Sequence, residues 1–244
     1  MKKIFKYELR RLILNKFFIG LLIINLAYAQ LILTGYIIAG VAYTAPFSPW
    51  SFGAYLARVM PISILTVLFL LTFYYSKKEK QTEVLTTATP VDLVHYTLVR
   101  SGAVAISFLI ICILILGLSL YFYVSLFDYW NFASFILPTG LVLLPCFAFA
   151  MGIGNLAGRI HPGLIYALML VTLVVGFGGI TGNFDFFGYG YFSSYPISLP
   201  VGLDGEPAFT VSIGFIIARM IYLSLGVILM IINTRFTRRK MHTA

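Results

Sequence analysis

Six stretches of predominantly apolar residues, each near the length a helix needs to cross a bilayer, constrain this chain more than any other feature. A helix rises about 1.5 Å per residue, so about 20 residues cover the roughly 30 Å of hydrocarbon in a membrane. The stretches run over residues 17–41, 55–75, 99–124, 134–157, 163–181 and 212–233. Only 10% of the 244 residues are charged, against about 25% in an ordinary soluble domain. A soluble fold with this composition would turn apolar surface to water. The sequence therefore predicts an all-α integral membrane protein, one transmembrane domain over residues 1–244. It would have six transmembrane helices, an N-terminal amphipathic interfacial helix over residues 1–16 and a short cytoplasmic coupling helix within 77–92.

The net charge of +9 does not point to nucleic acid, because the basic residues sit in short clusters between apolar runs. Membrane lipids and the positive-inside bias account for that placement. Lys and Arg number six before the first span, four at the loop between the second and third, one between the fourth and fifth, and four after the sixth. The opposite loops hold Arg58 near a span end, with Asp128, Asp185, Asp204 and Glu206. Both termini are thus expected in the cytoplasm, with the chain a multi-pass protein of a prokaryotic cytoplasmic membrane. Ala27-Tyr28-Ala29 has the form of a signal-peptidase site, but the apolar run continues through Leu31-Ile32-Leu33 to Val41. That is too long for a signal core, so the first span is expected to be retained.

Chemistry finds few tools here. Cys112 and Cys146 lie inside apolar runs without CxxC spacing or neighbouring metal ligands, and read as buried small hydrophobes. His95 and His161 flank cytoplasmic ends and His242 lies in the tail, so no metal centre is expected. There is no H-E-x-x-H or G-x-S-x-G motif, and no enzyme activity is expected of the chain itself. All eight acidic residues lie outside the apolar runs. That counts against an ion-coupled secondary transporter, which usually places a carboxylate in the membrane.

Two polar segments carry more information. From Lys2 to Lys16, Ile4, Phe5, Leu9, Leu12 and Ile13 form an apolar face at helical spacing among basic residues. This helix should lie along the inner headgroups, as a plain anchor or as an elbow feeding force into the first span. In the cytoplasmic loop, mixed charges at Lys77 to Glu83 precede Val84, Leu85 and Ala88, and Pro90 limits any helix there. A solvated loop and a short docking helix both fit that pattern.

The loop resembles the intracellular loop of type 2 ATP-binding-cassette exporter permeases, whose second and third spans flank a Glu-x-Gly-Thr…Ala-Thr-Pro-Val pattern. Glu79, Thr82, Ala88, Thr89, Pro90 and Val91 match. Gln81 replaces the frequent Gly, Glu83 stands one position before the usual second Glu, and Asp92 and Leu93 replace a common Ser and Arg. Tyr7-Glu8-Leu9-Arg10-Arg11 is similar to the family's opening, and the six-span order with a long last outer loop agrees. The resemblance implies a permease subunit that exports a substrate using ATP hydrolysed by a separate cytoplasmic subunit. Glu79, Thr82, Glu83, Leu85, Ala88 and Pro90 would couple to that ATPase. ATP and Mg would be bound by the partner, since this chain has no Gly-Lys pair from which to build a phosphate cradle. A second six-span subunit, identical or paralogous, would complete the transporter. The alternatives are a secondary transporter and a non-transporting scaffold or sensor subunit.

The outer loop over 182–211 concentrates Phe184, Phe186, Phe187, Tyr189, Tyr191, Phe192 and Tyr195. It reads equally as an interfacial aromatic belt or as the short re-entrant helices that the family places between spans five and six. Gly154 and Gly158, and again Gly178 and Gly182, have GxxxG spacing, which serves helix packing within a subunit or at a dimer seam. Arg219 lies about two turns into the sixth span, where it either snorkels to the outer headgroups or lines a translocation path. Asn25, Gln30, Asn155 and Tyr222 are further candidates for such a path, with interhelical hydrogen bonding the competing role.

Overall fold

In the computed structural model, residues 2–76, 93–178, 182–202 and 205–242 are described. The segment 77–92, with Glu79, Thr82, Glu83, Leu85, Ala88 and Pro90, lies outside them. The described secondary structure is helical apart from an isolated bridge between Val201 and Pro207. The main helices are α1 (Lys2–Ile13), α2 (Lys16–Gly35), α3 (Pro49–Tyr75), α4 (Leu93–Phe127), α5 (Ile136–Ile160), α6 (Pro162–Phe177), α7 (Tyr189–Ser194) and α8 (Ile213–His242).

Local chemistry sets the boundaries. Asn15 caps α2 by accepting a hydrogen bond from the Phe17 amide at 3.0 Å. Ser48 accepts from the Ser51 amide at 3.2 Å, and Pro49 occupies the first helical position of α3. This pairing of a hydroxyl cap with a proline whose missing N–H is not needed starts α3 six residues before the expected residue 55. His161 and Pro162 repeat the device at α6, with Nδ1 accepting from the Gly163 amide at 3.0 Å.

Among the described residues, five helical segments are long and apolar enough to cross a membrane: Lys16–Ala39, Pro49–Tyr75, Val94–Phe127, Phe132–Ile160 and Ile213–Arg235. The expected fifth span, 163–181, corresponds to α6, which is apolar but has only 16 residues before Gly178 caps it. The outside of the molecule is strongly apolar: Ile23, Leu31, Leu170, Val174, Ile213 and Met220 are all more than half exposed. An all-helical protein with such a surface is compatible with a multi-pass membrane protein.

Helix α3 is the axis of the bundle. The apolar stretch of α3 is 72% buried, against 22–44% for the other four. Small residues let its neighbours approach. Gly154 on α5 faces Leu71, where a Cβ would sit 2.7 Å from Cδ1, and Gly158 faces the Tyr75 ring. The first GxxxG is therefore a seam inside the chain, between α5 and α3. Pro61 of α3 lies against Gly176 of α6. The second GxxxG is not a helix face: Gly178 caps α6, and Gly182 has φ +103°. The tightest crossing involves glycines of no such motif. A Cβ on Gly152 of α5 would sit 2.5 Å from the carbonyl oxygen of Gly226 on α8, and one on Gly226 would collide with the backbone at Ala148.

In α1 apolar residues turn toward the bundle and basic residues away from it. Leu12 is buried, Phe5, Leu9 and Ile13 pack on the core, and Lys3, Lys6, Arg10 and Arg11 are exposed. The apolar side rests partly on protein, with the Phe5 ring lying beside Gly102 of α4. Glu8 joins the buried side, its carboxylate 3.7 Å from the Arg11 guanidinium one turn on.

Replacing Gly226 by Val should separate α5 from α8 and destabilise the protein by about 1–3 kcal/mol, as overpacking does. Gly117→Ala, at a site where a Cβ meets open space, should leave stability unchanged or raised. Reversible unfolding in mixed detergent micelles measures both.

Candidate functional site

The best-defined polar constellation lies where α8 meets the described residues of the segment 182–211, which fold into a cap over one end of the bundle. The cap is shaped by its own carboxylate. Asp185 is buried, and its two oxygens accept from the amides of Phe187 at 3.1 Å and Gly190 at 2.6 Å, closing the turn that leads into α7. Gly188, at φ +91°, completes the turn in the left-handed region that glycine enters without a Cβ clash. A Cβ there would also lie 2.7 Å from the Arg219 guanidinium.

Helix α8 holds this turn by its carbonyls. Arg219, 1% exposed, donates through Nη2 to the Asp185 carbonyl at 2.6 Å and through Nη1 to the Phe186 carbonyl. Tyr222, three residues on and therefore on the same helix face, donates to the Phe184 carbonyl at 2.8 Å. Three consecutive carbonyls without helical partners are thus satisfied by two side chains of one helix. The Cys146 thiol of α5 adds a weak donor to Phe186 at 3.3 Å, and the Phe215 ring lies 4.2 Å from the guanidinium carbon of Arg219. The guanidinium is neither in water nor facing an open path.

The aromatic residues of the cap turn inward. Phe187, Tyr191 and Phe192 are buried, whereas Phe184 remains exposed. Tyr191 stacks on Phe215 with centroids 3.8 Å apart, and its hydroxyl accepts from the Ser212 amide at 2.8 Å. Burial pushes the Tyr191 phenol above its ordinary pKa. From α3, Trp50 packs edge-on against Phe209 and donates to the Pro207 carbonyl at 3.2 Å. Glu206 accepts from the Ala45 amide at 2.8 Å, tying the cap to the turn before α3.

The other sequence candidates do not join this group. Asn25 is fully buried between α2 and α3, donating to Thr66 and accepting from Ser63, both at 2.8 Å. Asn155 accepts from the Tyr75 hydroxyl at 3.0 Å, linking α5 to α3. Gln30 lies exposed on α2. Inside the bundle, the cavity bounded by Leu56, Met60, Ser63, Cys112 and Leu143 has a volume of about 10 Å³, room for a single water.

One residue was undervalued from sequence. Arg58, placed near a span end by a helix start at 55, stands nine residues after Pro49, about 14 Å along the axis. Its guanidinium carbon is 4.0 Å from the Tyr189 ring centroid and 5.4 Å from that of Tyr36. The Ser48-Pro49 start signal was the clue in the sequence to this earlier helix start.

Arg219→Met should leave the Asp185 carbonyl without a donor and the Phe186 carbonyl with only the weak Cys146 thiol, and so loosen the cap, seen as faster proteolysis within 182–207 while the helical content is retained. Asn25→Leu should cost about 0.6–1.7 kcal/mol, the range for interhelical hydrogen bonds in membrane proteins, measurable by the same unfolding titration. No protein-family model matches this chain, and no curated protein or solved structure matches it either.

Proposed function

We propose that the chain is the six-span membrane subunit of an ATP-binding-cassette exporter, with both termini in the cytoplasm of a prokaryote. ATP and Mg would be bound by a separate ATPase subunit, and a second six-span subunit, the same or paralogous, would complete the transport path. In this reading α6 is the fifth span, its short helix extended by cap residues to reach the far side.

The observation that carries the reading is the Glu79…Thr82…Ala88-Thr89-Pro90-Val91 pattern, lying between the helix that forms the bundle axis and the one against which α1 packs. Helix α4 begins at Leu93, directly after this segment, and the Phe5 ring of α1 rests against Gly102 within its first turns. A push delivered to 77–92 would reach α3, α4 and α1 together, which suits a device that converts closure of an ATPase into a change of helix packing.

A mild-detergent pull-down of the tagged chain should recover an ATPase subunit whose hydrolysis is stimulated by this protein. Glu83→Ala and Pro90→Ala should lower that stimulation and the transport in vesicles by about fivefold or more, the scale of an ordinary coupling free energy, without affecting insertion. Wild-type coupling in both variants, or recovery of the chain with no ATPase under several conditions, would turn the assignment toward a secondary transporter or scaffold.

A further inference from the structure

We infer that Arg58, with Tyr28, Tyr36 and Tyr189, forms a binding site for the phosphate of an anionic amphiphile that enters from the side of the helix bundle. The inference does not rest on the proposed transport function.

Arg219 and Arg58 differ in what surrounds them. Arg219 is fully buried and engaged with backbone carbonyls. Arg58 is only partly buried, and among the described residues no carboxylate or other hydrogen-bond acceptor engages its guanidinium. The described carboxylates of the neighbouring cap are committed elsewhere, Asp185 to the Phe187 and Gly190 amides and Glu206 to the Ala45 amide. What Arg58 does meet is ring faces, those of Tyr189 and Tyr36. Stacking occupies the face of a guanidinium and leaves its N–H donors in the plane, where they pair side by side with an oxyanion.

The phenols extend this donor set. Tyr28 lies within electrostatic reach of Arg58, and the hydroxyls of Tyr28, Tyr36 and Tyr189 have no partner among the described residues. A carboxylate has two oxygens, which the guanidinium alone can saturate. A tetrahedral phosphate offers further acceptors to the phenols, so the combination favours phosphate.

The approach to the site is apolar. Tyr36 is 51% exposed, and Tyr28 meets Phe177 at the end of α6 edge-on with centroids 6.3 Å apart. Leu31, one turn from Tyr28 on α2, is 58% exposed, and Phe177 is 45% exposed. A ligand with its phosphate at Arg58 would lay an acyl chain along this surface, as a lipid does.

The test is native mass spectrometry of the protein purified in neutral detergent and offered dioleoylphosphatidylglycerol or dioleoylglycerol, which shares its tails and lacks the phosphate. The wild type should retain the phospholipid selectively, and R58Q should weaken that retention about tenfold, the loss of roughly 1.4 kcal/mol. If R58Q does not fold, Y28F/Y36F, which keeps the charge and removes two donors, should weaken it as well. Bound phospholipid unaffected by millimolar inorganic phosphate places the ligand in the bilayer; displacement by inorganic phosphate keeps the phosphate site but assigns it a soluble ligand. Equal retention of both lipids by the wild type, or phospholipid retention unchanged in the folded variants, would overturn the proposal.

Discussion

In an apolar solvent, burying a Leu against another Leu gains little over burying it against an acyl chain, so helices that pack there need shape and hydrogen bonds to hold them. Helix α3 satisfies that demand on several sides. Glycines of α5 and α6 let their backbones close on Leu71, Tyr75 and Pro61. Asn25 bonds to Ser63 and Thr66 from α2, and Asn155 receives Tyr75 from α5. The cap hangs from Trp50 at the other end. With the axis fixed in this way, the peripheral helices keep apolar faces outward without losing their register.

Much of this arrangement was legible in the sequence because it depends on period and length alone. The apolar runs located five long helices, and of the apolar residues of α1, Phe5, Leu9, Leu12 and Ile13 pack on the core. What the apolar face of α1 rests on was not legible, since its neighbour is α4, where the Phe5 ring lies beside Gly102, nearly a hundred residues away. The same limit applied to the glycines. GxxxG spacing found the α5–α3 seam but also selected Gly178 and Gly182, which serve a helix cap and a turn. It missed the crossing of Gly152 with Gly226, because a single glycine on each helix makes no pattern.

The site candidates divide by the same logic. Polarity within an apolar run singled out Asn25, Gln30, Asn155, Arg219 and Tyr222 as candidates for a translocation path or for interhelical hydrogen bonds; Asn25, Asn155, Arg219 and Tyr222 hydrogen-bond to neighbouring elements, and Gln30 is exposed. It did not say that those partners would be neighbouring helices and the cap, because three-dimensional neighbours leave no trace in a local window. Arg58 was passed over for a different reason. A hydropathy window places a helix start where apolar residues become dense, whereas the helix itself begins at a cap, and that difference of six residues hid how far along the helix the charge stands.

The bonds between α8 and the cap have one further consequence. Arg219 and Tyr222 occupy a single stripe of their helix and grip three successive carbonyls. Since each residue step turns an α-helix by about 100°, axial rotation of α8 by even one step would carry both donors away from the cap together. A small displacement along the axis would only tilt flexible side chains that can follow their acceptors. The cap is therefore geared to the twist of α8 and compliant to its sliding, a clutch with two teeth on one rim.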